Sequence, residues 1–272
     1  MPLLPYNICF AFASGAPMAE VRDGPLRIAY RLLPHSLTHI IHSPLANKRQ
    51  GLTKGIKRLA QSVSKQLQRY PKVLIFGGDH SCAIGTWSGV RKAYPQARIG
   101  LLWLDAHLDS HSPLTSPSGN IHGMPVACLL GNKHSLFQHM IGYQAVIHPK
   151  DCIIIGVRSY EPQEAHWLNS QGVEWHPLSS TPHPATSLDI ALRKLCRQCD
   201  IVGISIDLDA FDPTFAPGVE TPAANGVDPR PILPVIKRWL THSKLRCVEI
   251  AEYTPVNDRE DRTFCLIKRL IS

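Results

Sequence analysis

Three side chains that can bind metal ions or transfer protons stand at alternate positions in LDAHLDSH, namely Asp105, His107 and Asp109. They directly follow the apolar run Ile99 to Trp103, which is typical of a strand buried on both faces of a parallel sheet. In extended backbone, alternate side chains point to the same face, so these three could be aimed at one point. The D-x-H-x-D pattern alone fits a metal site and a solvated strand end equally well.

Two other segments place the same kinds of side chain after an apolar run, and these are GGDHS and SIDLDAFDP. The candidate ligands are thus two imidazoles and four carboxylates: His80, Asp105, His107, Asp109, Asp207 and Asp209. Four clustered carboxylates raise each other's pKa unless cations neutralise them, so we expect two divalent ions. Oxygen-rich ligation favours manganese over a structural zinc, although nickel, cobalt and iron(II) are also compatible. Two ions about 3.5 to 4 Å apart can activate a shared water, which predicts a metal hydrolase.

The remaining apolar runs explain how ligands distant in sequence could meet. Runs ending near residues 76, 104, 157, 206 and 251 are each followed by acidic, His or Arg side chains. We expect a first strand at 7–13, a loop at 14–25, and helices at 53–70, 85–93, 188–199 and 229–240, the last interrupted by Pro234. This alternation predicts a parallel α/β sheet, whose strand ends lie along one edge, where ligand crevices form.

Length, composition and charge narrow the class of protein. The 272 residues suit a single α/β domain at 1–272, with 44% hydrophobic and 18% charged residues. No apolar run is long enough to span a membrane, and the N-terminal segment lacks a secretory signal pattern, so we expect a cytoplasmic protein without a membrane partner. The net charge of +8 comes from dispersed Lys and Arg without interleaved aromatics, which argues against nucleic acid as a partner.

Eight cysteines are scattered along the chain, mostly within apolar runs, where we expect free thiols. Cys196 and Cys199 form a C-x-x-C pair in the expected helix at 188–199. Because no second pair accompanies them, a zinc site there is the weaker alternative.

GGDHS, DAHLD and SIDLDAFDP, in this order, resemble the three metal motifs of the arginase and agmatinase family, the ureohydrolases, and are most similar to arginases. The resemblance extends from GAPMAEVRDGP near the N-terminus to EIAEYTP near the C-terminus. It implies a three-layer α/β/α fold with a central parallel sheet, two Mn2+ ions as cofactor, and hydrolysis of a small-molecule guanidino substrate. For an arginase, the reaction converts L-arginine to L-ornithine and urea. A homotrimer or homohexamer is also implied.

The resemblance also implies a role for each metal ligand. Bridging requires carboxylates with two oxygens, since an imidazole offers one metal-binding nitrogen at a time. Asp109 would in addition orient the attacking hydroxide. The implied assignment is one manganese ion on His80 and Asp109, the other on His107 and Asp209, and Asp105 and Asp207 bridging both.

Outside the metal ligands, the resemblance implies two catalytic side chains. Glu252, in EIAEYTP, would face the substrate guanidinium, with Glu249 as the alternative. His122, in SGNIHGMP, would transfer a proton to the leaving amine, and the alternative is an ordinary loop histidine. Asp79 and Asp212 belong to the same motifs but are expected to hold loops by hydrogen bonds.

The loop PLTSPSGNIHGMP resembles the arginase version and would bind the α-carboxylate of the substrate. Ser118 matches a family serine, and Ser116 keeps the hydroxyl of a threonine that is common in arginases. His111 departs from the family pattern because it replaces an asparagine that contacts the carboxylate.

Further departures leave the choice of substrate open. Glu161 replaces an aspartate that faces the α-amino group, Glu164 matches the family glutamate beside it, and Glu220 replaces a glycine near the site. Glu220 could contact a substrate cation or lie in solvent. An agmatinase, a guanidinobutyrase or another ureohydrolase is therefore the alternative to an arginase. A non-enzymatic protein with the same fold is less well supported, since all six metal ligands are present.

Overall fold

The computed structural model describes residues 6–34, 36–42, 48–142, 144–181 and 183–272. Within these ranges, the strands are β1 (Tyr6–Ala11), β2 (Thr38–His42), β3 (Val73–Gly77), β4 (Ile99–Leu104), β5 (Cys152–Val157), β6 (Glu174–Pro177), β7 (Ile201–Asp207) and β8 (Leu245–Ala251). They form one sheet in the order β2-β1-β3-β8-β7-β4-β5-β6, and every neighbouring pair is parallel.

Helices connect the strands and cover the sheet. They are α1 (Asp23–Arg31), α2 (Lys48–Leu67), α3 (Cys82–Ala93), α4 (Pro125–Leu129), α5 (Ser135–Ile141), α6 (Pro162–Gln171), α7 (Pro184–Gln198), α8 (Pro229–Leu240) and α9 (Arg262–Ile271). None of these described helices is long and apolar enough to cross a membrane.

Alternate side chains of each strand pack against different helices, which produces three layers. Leu74 and Phe76 of β3 belong to a buried cluster that includes side chains of α1, α7, α8 and α9. Val73 and Ile75 of the same strand belong to a second cluster with side chains of α2 and α3. Because a strand alternates its side chains between two faces, both faces of the sheet must be covered by helices. The three-layer α/β/α fold is confirmed.

The structure corrects several expected element bounds. The segment expected as a loop at 14–25 ends inside α1, which begins at Asp23 and tolerates Pro25 in its first turn, where the missing N–H is not needed. The helix expected at 53–70 runs from Lys48 to Leu67. Pro234 lies inside a continuous α8. The helices α4, α5, α6 and α9 were not predicted. The short strands β2 and β6 were also not predicted, because they lie at the sheet edges and bury few side chains.

Candidate active site

The strand order brings the expected ligands together at one edge of the sheet. β3, β8, β7 and β4 are adjacent in that order, so the segments after their carboxyl ends lie side by side. His80 follows β3, Glu252 follows β8, and Asp209 follows β7. Asp105 and Asp109 follow β4. This is the position at which an open parallel sheet forms a ligand crevice.

Local backbone geometry directs two of these side chains. Asp109 and Glu252 have φ angles of 47° and 68°, in the left-handed region that non-glycine residues rarely adopt. Such conformations cost about 1 to 3 kcal/mol and persist at sites where the surrounding structure holds them. Gly78, in GGDHS, must be glycine, since a Cβ there would lie 1.9 Å from the carbonyl oxygen of Phe12. The chain therefore closely approaches the residue that follows β1 just before His80.

His80 is surrounded by three carboxylates. Its Nδ1 atom lies 3.3 Å from Asp105 Oδ2, 3.2 Å from Asp109 Oδ2 and 3.0 Å from Asp207 Oδ2. All four side chains are buried. Although burial opposes protonation, the three surrounding carboxylates raise the pKa of His80 well above its usual value.

His107 forms a second group with Asp105 and Asp209. Its Nδ1 atom lies 3.5 Å from Asp105 Oδ1 and 3.0 Å from Asp209 Oδ2. The two oxygens of Asp105 thus face different histidines. Two groups of metal-binding atoms result, one with His80 and Asp109 and the other with His107 and Asp209, and both include Asp105.

The hydrogen bonds behind His80 show that this donor set fits a metal ion. Ser205 Oγ donates to Glu249 Oε1 at 2.8 Å, so its lone pairs are available to accept from His80 Nε2 at 3.0 Å. The proton of a neutral His80 is therefore on Nε2, and Nδ1 carries a lone pair without a hydrogen-bond partner among the described residues. Because Nδ1 and the three carboxylate oxygens around it are all acceptors, a positive charge must lie between them. One proton serves only one oxygen, whereas a divalent ion can serve all three.

The carboxylates on β7 and after it are also poised for a cation. Burial raises the pKa of Asp207, and the charges of Asp209 and Asp105 raise it further. Asp207 Oδ1 accepts a hydrogen bond from the backbone N–H of Asp209 at 2.9 Å, and its Oδ2 faces His80. Asp207 contacts His80 but does not contact His107 directly. The role of Asp207 as a second bridging ligand therefore rests on the family resemblance.

A cavity of about 240 Å³ opens above these groups. It brings together the expected catalytic and substrate-binding side chains, while His80 and Asp105 lie buried beneath it. Its lining residues are His107, Asp109, His111, Ser116, Pro117, Ser118, His122, Gly123, Glu161, Glu164, Asp207, Asp209, Thr221 and Glu252.

His122 and Glu252 form an ion pair at the inner end of the cavity. His122 Nδ1 lies 3.1 Å from Glu252 Oε1, which also accepts the backbone N–H of His80 at 2.8 Å. Although burial disfavours the imidazolium, the hydrogen bond and charge of Glu252 raise the pKa of His122 to about 10. His122 therefore holds a proton at neutral pH.

At the outer end of the cavity, the expected substrate contacts bind one another. His111 Nε2 lies 3.0 Å from Glu161 Oε2 and 3.4 Å from Glu164 Oε2. Glu161 and Glu164 also form a capping box at the N-terminus of α6, a structural role that was not predicted. Ser116 Oγ and Ser118 Oγ accept backbone N–H groups of the following loop, and they lie 3.5 Å apart, where either hydroxyl can donate to the other. One of the two hydroxyl protons therefore remains available to a ligand.

The alternatives from the sequence can be compared with the structure. Glu249 is fully buried behind His80 and is absent from the cavity wall, which Glu252 lines. Asp79 holds the backbone N–H groups of Gly15 and Ser81, as expected for a structural residue. Asp212 similarly accepts from Thr214 and Gly226.

All eight cysteines are free thiols, as expected. Among the described groups of side chains that could hold a metal ion, none includes Cys196 or Cys199.

Four residues that sequence reasoning missed support the site. Trp103 Nε1 donates to Asp105 Oδ2 at 2.8 Å, and Thr221 Oγ1 donates to Asp209 Oδ2 at 3.2 Å. Ser205 orients His80, as described above. The Arg158 guanidinium donates to backbone carbonyl groups of the loop that follows β7, including that of Asp209 at 2.6 Å. Two of the four carried a sequence signal. Trp103 lies two positions before Asp105 and shares its face of the strand, and Arg158 directly follows the apolar run that ends near residue 157.

Comparisons with known proteins identify the family of this chain. The Arginase family profile matches residues 24–272. The arginase of Bacillus caldovelox is 35% identical over 209 residues, which cover 76% of this chain and 69% of that protein. The crystal structure of arginase from Bacillus subtilis is similar with a TM-score of 0.87, at 30% identity over 98% of each chain. Arginase from Entamoeba histolytica, in complex with L-ornithine, has a TM-score of 0.89 at 26% identity over 99% of each chain.

Proposed function

The chain belongs to the arginase family, and from this premise we propose that it hydrolyses the guanidino group of L-arginine to L-ornithine and urea, with two manganese ions as cofactor. The observation that carries the proposal is the division of the two Asp105 oxygens between two histidines at the floor of a cavity. The E. histolytica relative, which binds L-ornithine, supports the same substrate class.

The contacts support a specific ligand assignment for the two ions. His80 and Asp109 would hold one, His107 and Asp209 the other, and Asp105 would bridge them. Asp207, whose Oδ2 lies 3.0 Å from His80 Nδ1, is assigned as the second bridge. When bound, the ions would lower the pKa of an attacking water, which is the chemistry that this cofactor supplies.

The remaining steps belong to side chains of this chain. Glu252 has one buried oxygen, Oε2, without a hydrogen-bond partner among the described residues, and a guanidinium N–H would satisfy it. Asp109 lines the cavity beside it and would orient the attacking water. His122 carries the proton that the leaving amine of ornithine needs, since Glu252 raises its pKa to about 10. Water would add to the guanidino carbon, and the carbon–nitrogen bond to the substrate chain would break as the His122 proton goes to that nitrogen. The two protons that the water releases would restore His122 and complete the ammonium group of ornithine, which leaves with urea.

The outer end of the cavity would read the amino-acid part of arginine. The hydroxyl groups of Ser116 and Ser118 suit the α-carboxylate, together with His111. The carboxylates of Glu161 and Glu164 lie on the same wall and would face the α-amino group. These five side chains remain proposed substrate contacts.

Urea release from a panel of guanidino compounds tests the proposed function. The protein would first be stripped of metal by chelation and then incubated with manganese. We expect bound manganese at two ions per chain, and urea release from L-arginine only after manganese is restored. A protein that binds no manganese, or that releases urea equally well after chelation, would contradict the proposal.

We further propose that the chain acts in the cytoplasm as a homotrimer or homohexamer. The eight free thiols support a reducing compartment, and the family resemblance supports the assembly. Light scattering on the purified protein would measure the assembly directly.

A further inference from the structure

Glu220 lies beside the two proposed catalytic side chains, His122 and Glu252. One metal-binding atom from each of these three residues lies within 4.8 Å of the others. This group shares no residue with the two groups around Asp105. The ureohydrolase pattern that the sequence resembles has a glycine at the position of Glu220, so this carboxylate is an addition to the familiar site.

Two oxygens in this group are buried without hydrogen-bond donors in the described part of the chain, and these are Glu220 Oε2 and Glu252 Oε2. The partner oxygens are occupied. Glu220 Oε1 accepts the backbone N–H of Met18 at 2.7 Å, and Glu252 Oε1 accepts from His80 and His122. Glu252 is only 1% exposed. Since an unpaired buried acceptor is costly, the free oxygens indicate a missing positive or donating group.

The local charge also favours a cation. Burial raises the pKa of Glu220 to about 7 against the hydrogen bond from Met18, and the nearby charges of Glu252 and Asp79 raise it further, while His122 lowers it. The imidazolium of His122 thus faces the carboxylates of Glu220, Glu252 and Asp79. A divalent cation would relieve this crowding.

We propose that His122, Glu220 and Glu252 form a third divalent-cation site, separate from the binuclear centre and suited to zinc. The set offers one nitrogen and two oxygens, and Zn2+ is commonly held by three such protein ligands with water in the fourth position. A ligand set with imidazole binds zinc more tightly than manganese, following the general order of divalent metals. His122 would bind after losing the Nδ1 proton that it shares with Glu252.

Zinc in this site is expected to inhibit the enzyme. It would occupy the carboxylate that faces the guanidinium and the histidine that carries the proton, so it would compete with the substrate. This consequence rests on the proposed function, whereas zinc binding itself does not.

Metal counting tests the site directly. The manganese-loaded protein would be dialysed against limiting Zn2+ in a buffer that also contains excess Mn2+, so that the binuclear centre stays occupied by manganese, and both metals would be counted. We expect one zinc ion per chain with both manganese ions retained. Glu220→Gln should weaken zinc binding by at least about tenfold, since it replaces a charged ligand. His122→Asn should weaken it similarly. Glu20→Gln is the matched control, because Glu20 is an exposed carboxylate two residues from Met18, and it should bind zinc like the wild type.

The proposal is overturned if the wild type binds no zinc, if zinc enters only as manganese leaves, or if Glu220→Gln binds zinc as tightly as the wild type. Circular dichroism would verify folding of the variants, and Glu220→Gly, which restores the family residue, is a second variant at the same position. Because zinc is counted without measuring urea, the two proposals fail independently. A protein without arginase activity that binds zinc through Glu220 would refute only the proposed function.

Discussion

Substituting Ser205 tests whether the hydrogen bonds behind His80 prepare the site for metal. Ser205 Oγ links His80 Nε2 to Glu249 Oε1, at 3.0 Å and 2.8 Å, and all three side chains are buried. In Ser205→Ala, both partners lose this bond without access to water. At about 1 to 3 kcal/mol for each unsatisfied group, the free energy of unfolding of the metal-free protein should fall by about 2 to 6 kcal/mol.

Metal affinity should fall as well, because the variant no longer fixes the imidazole with its lone pair on Nδ1. The loss of such an outer hydrogen bond typically weakens metal binding by about 10- to 100-fold. Manganese affinity would be measured by equilibrium dialysis, and stability by chemical denaturation followed by circular dichroism.

Ser62→Ala provides the matched control. It removes another serine–histidine contact, between Ser62 Oγ and His39 Nδ1 at 2.9 Å, which joins α2 to β2 away from the site. The control should leave manganese affinity unchanged. If Ser205→Ala matches the control in both manganese affinity and stability, the argument from the orientation of His80 is wrong.

Four further predictions concern the proposed reaction and the stability of its side chains. Asp105→Ala should lose bound metal, since both groups of metal-binding side chains share Asp105. Asp109→Ala should lose activity more completely than it loses metal. Full activity in both variants would exclude the segment 105–109 as the active site. Activity should rise from neutral to alkaline pH, because the attacking water ionises more readily. It should decline only near pH 10, where His122 loses its proton. A pH profile of kcat/KM measures this, and an acidic optimum would contradict the prediction. The His122–Glu252 ion pair should stabilise the folded protein only while His122 is protonated. Its contribution to the free energy of unfolding should be fully present below about pH 6.5 and lost as the pH rises through about 10. The kcat/KM for agmatine should be lower than that for L-arginine by at least about tenfold, because agmatine leaves the carboxylate contacts unpaired. Ser118→Ala should narrow this difference in kcat/KM. A preference for agmatine that Ser118→Ala leaves unchanged would exclude the arginase assignment.

Much of the site could be predicted from local sequence. A run of apolar residues determines where a buried strand ends, and polar residues directly after it must lie at the carboxyl edge of a parallel sheet. For this reason Asp105, His107 and Asp109 could be placed after β4, and the three layers could be predicted from the alternation of strands and helices.

Other features depend on which strands become neighbours, and only the tertiary structure decided them. Ser205 lies 125 residues from His80 and 44 residues from Glu249, and these three meet only because β8 and β7 are inserted between β3 and β4. The sequence also allowed Glu220 to lie in solvent, whereas the folded chain places it against His122 and Glu252. Local patterns depend on the backbone geometry of a few successive residues, but strand order is determined by the packing of the whole sheet. The pairing of distant acceptors and donors therefore follows from the fold alone.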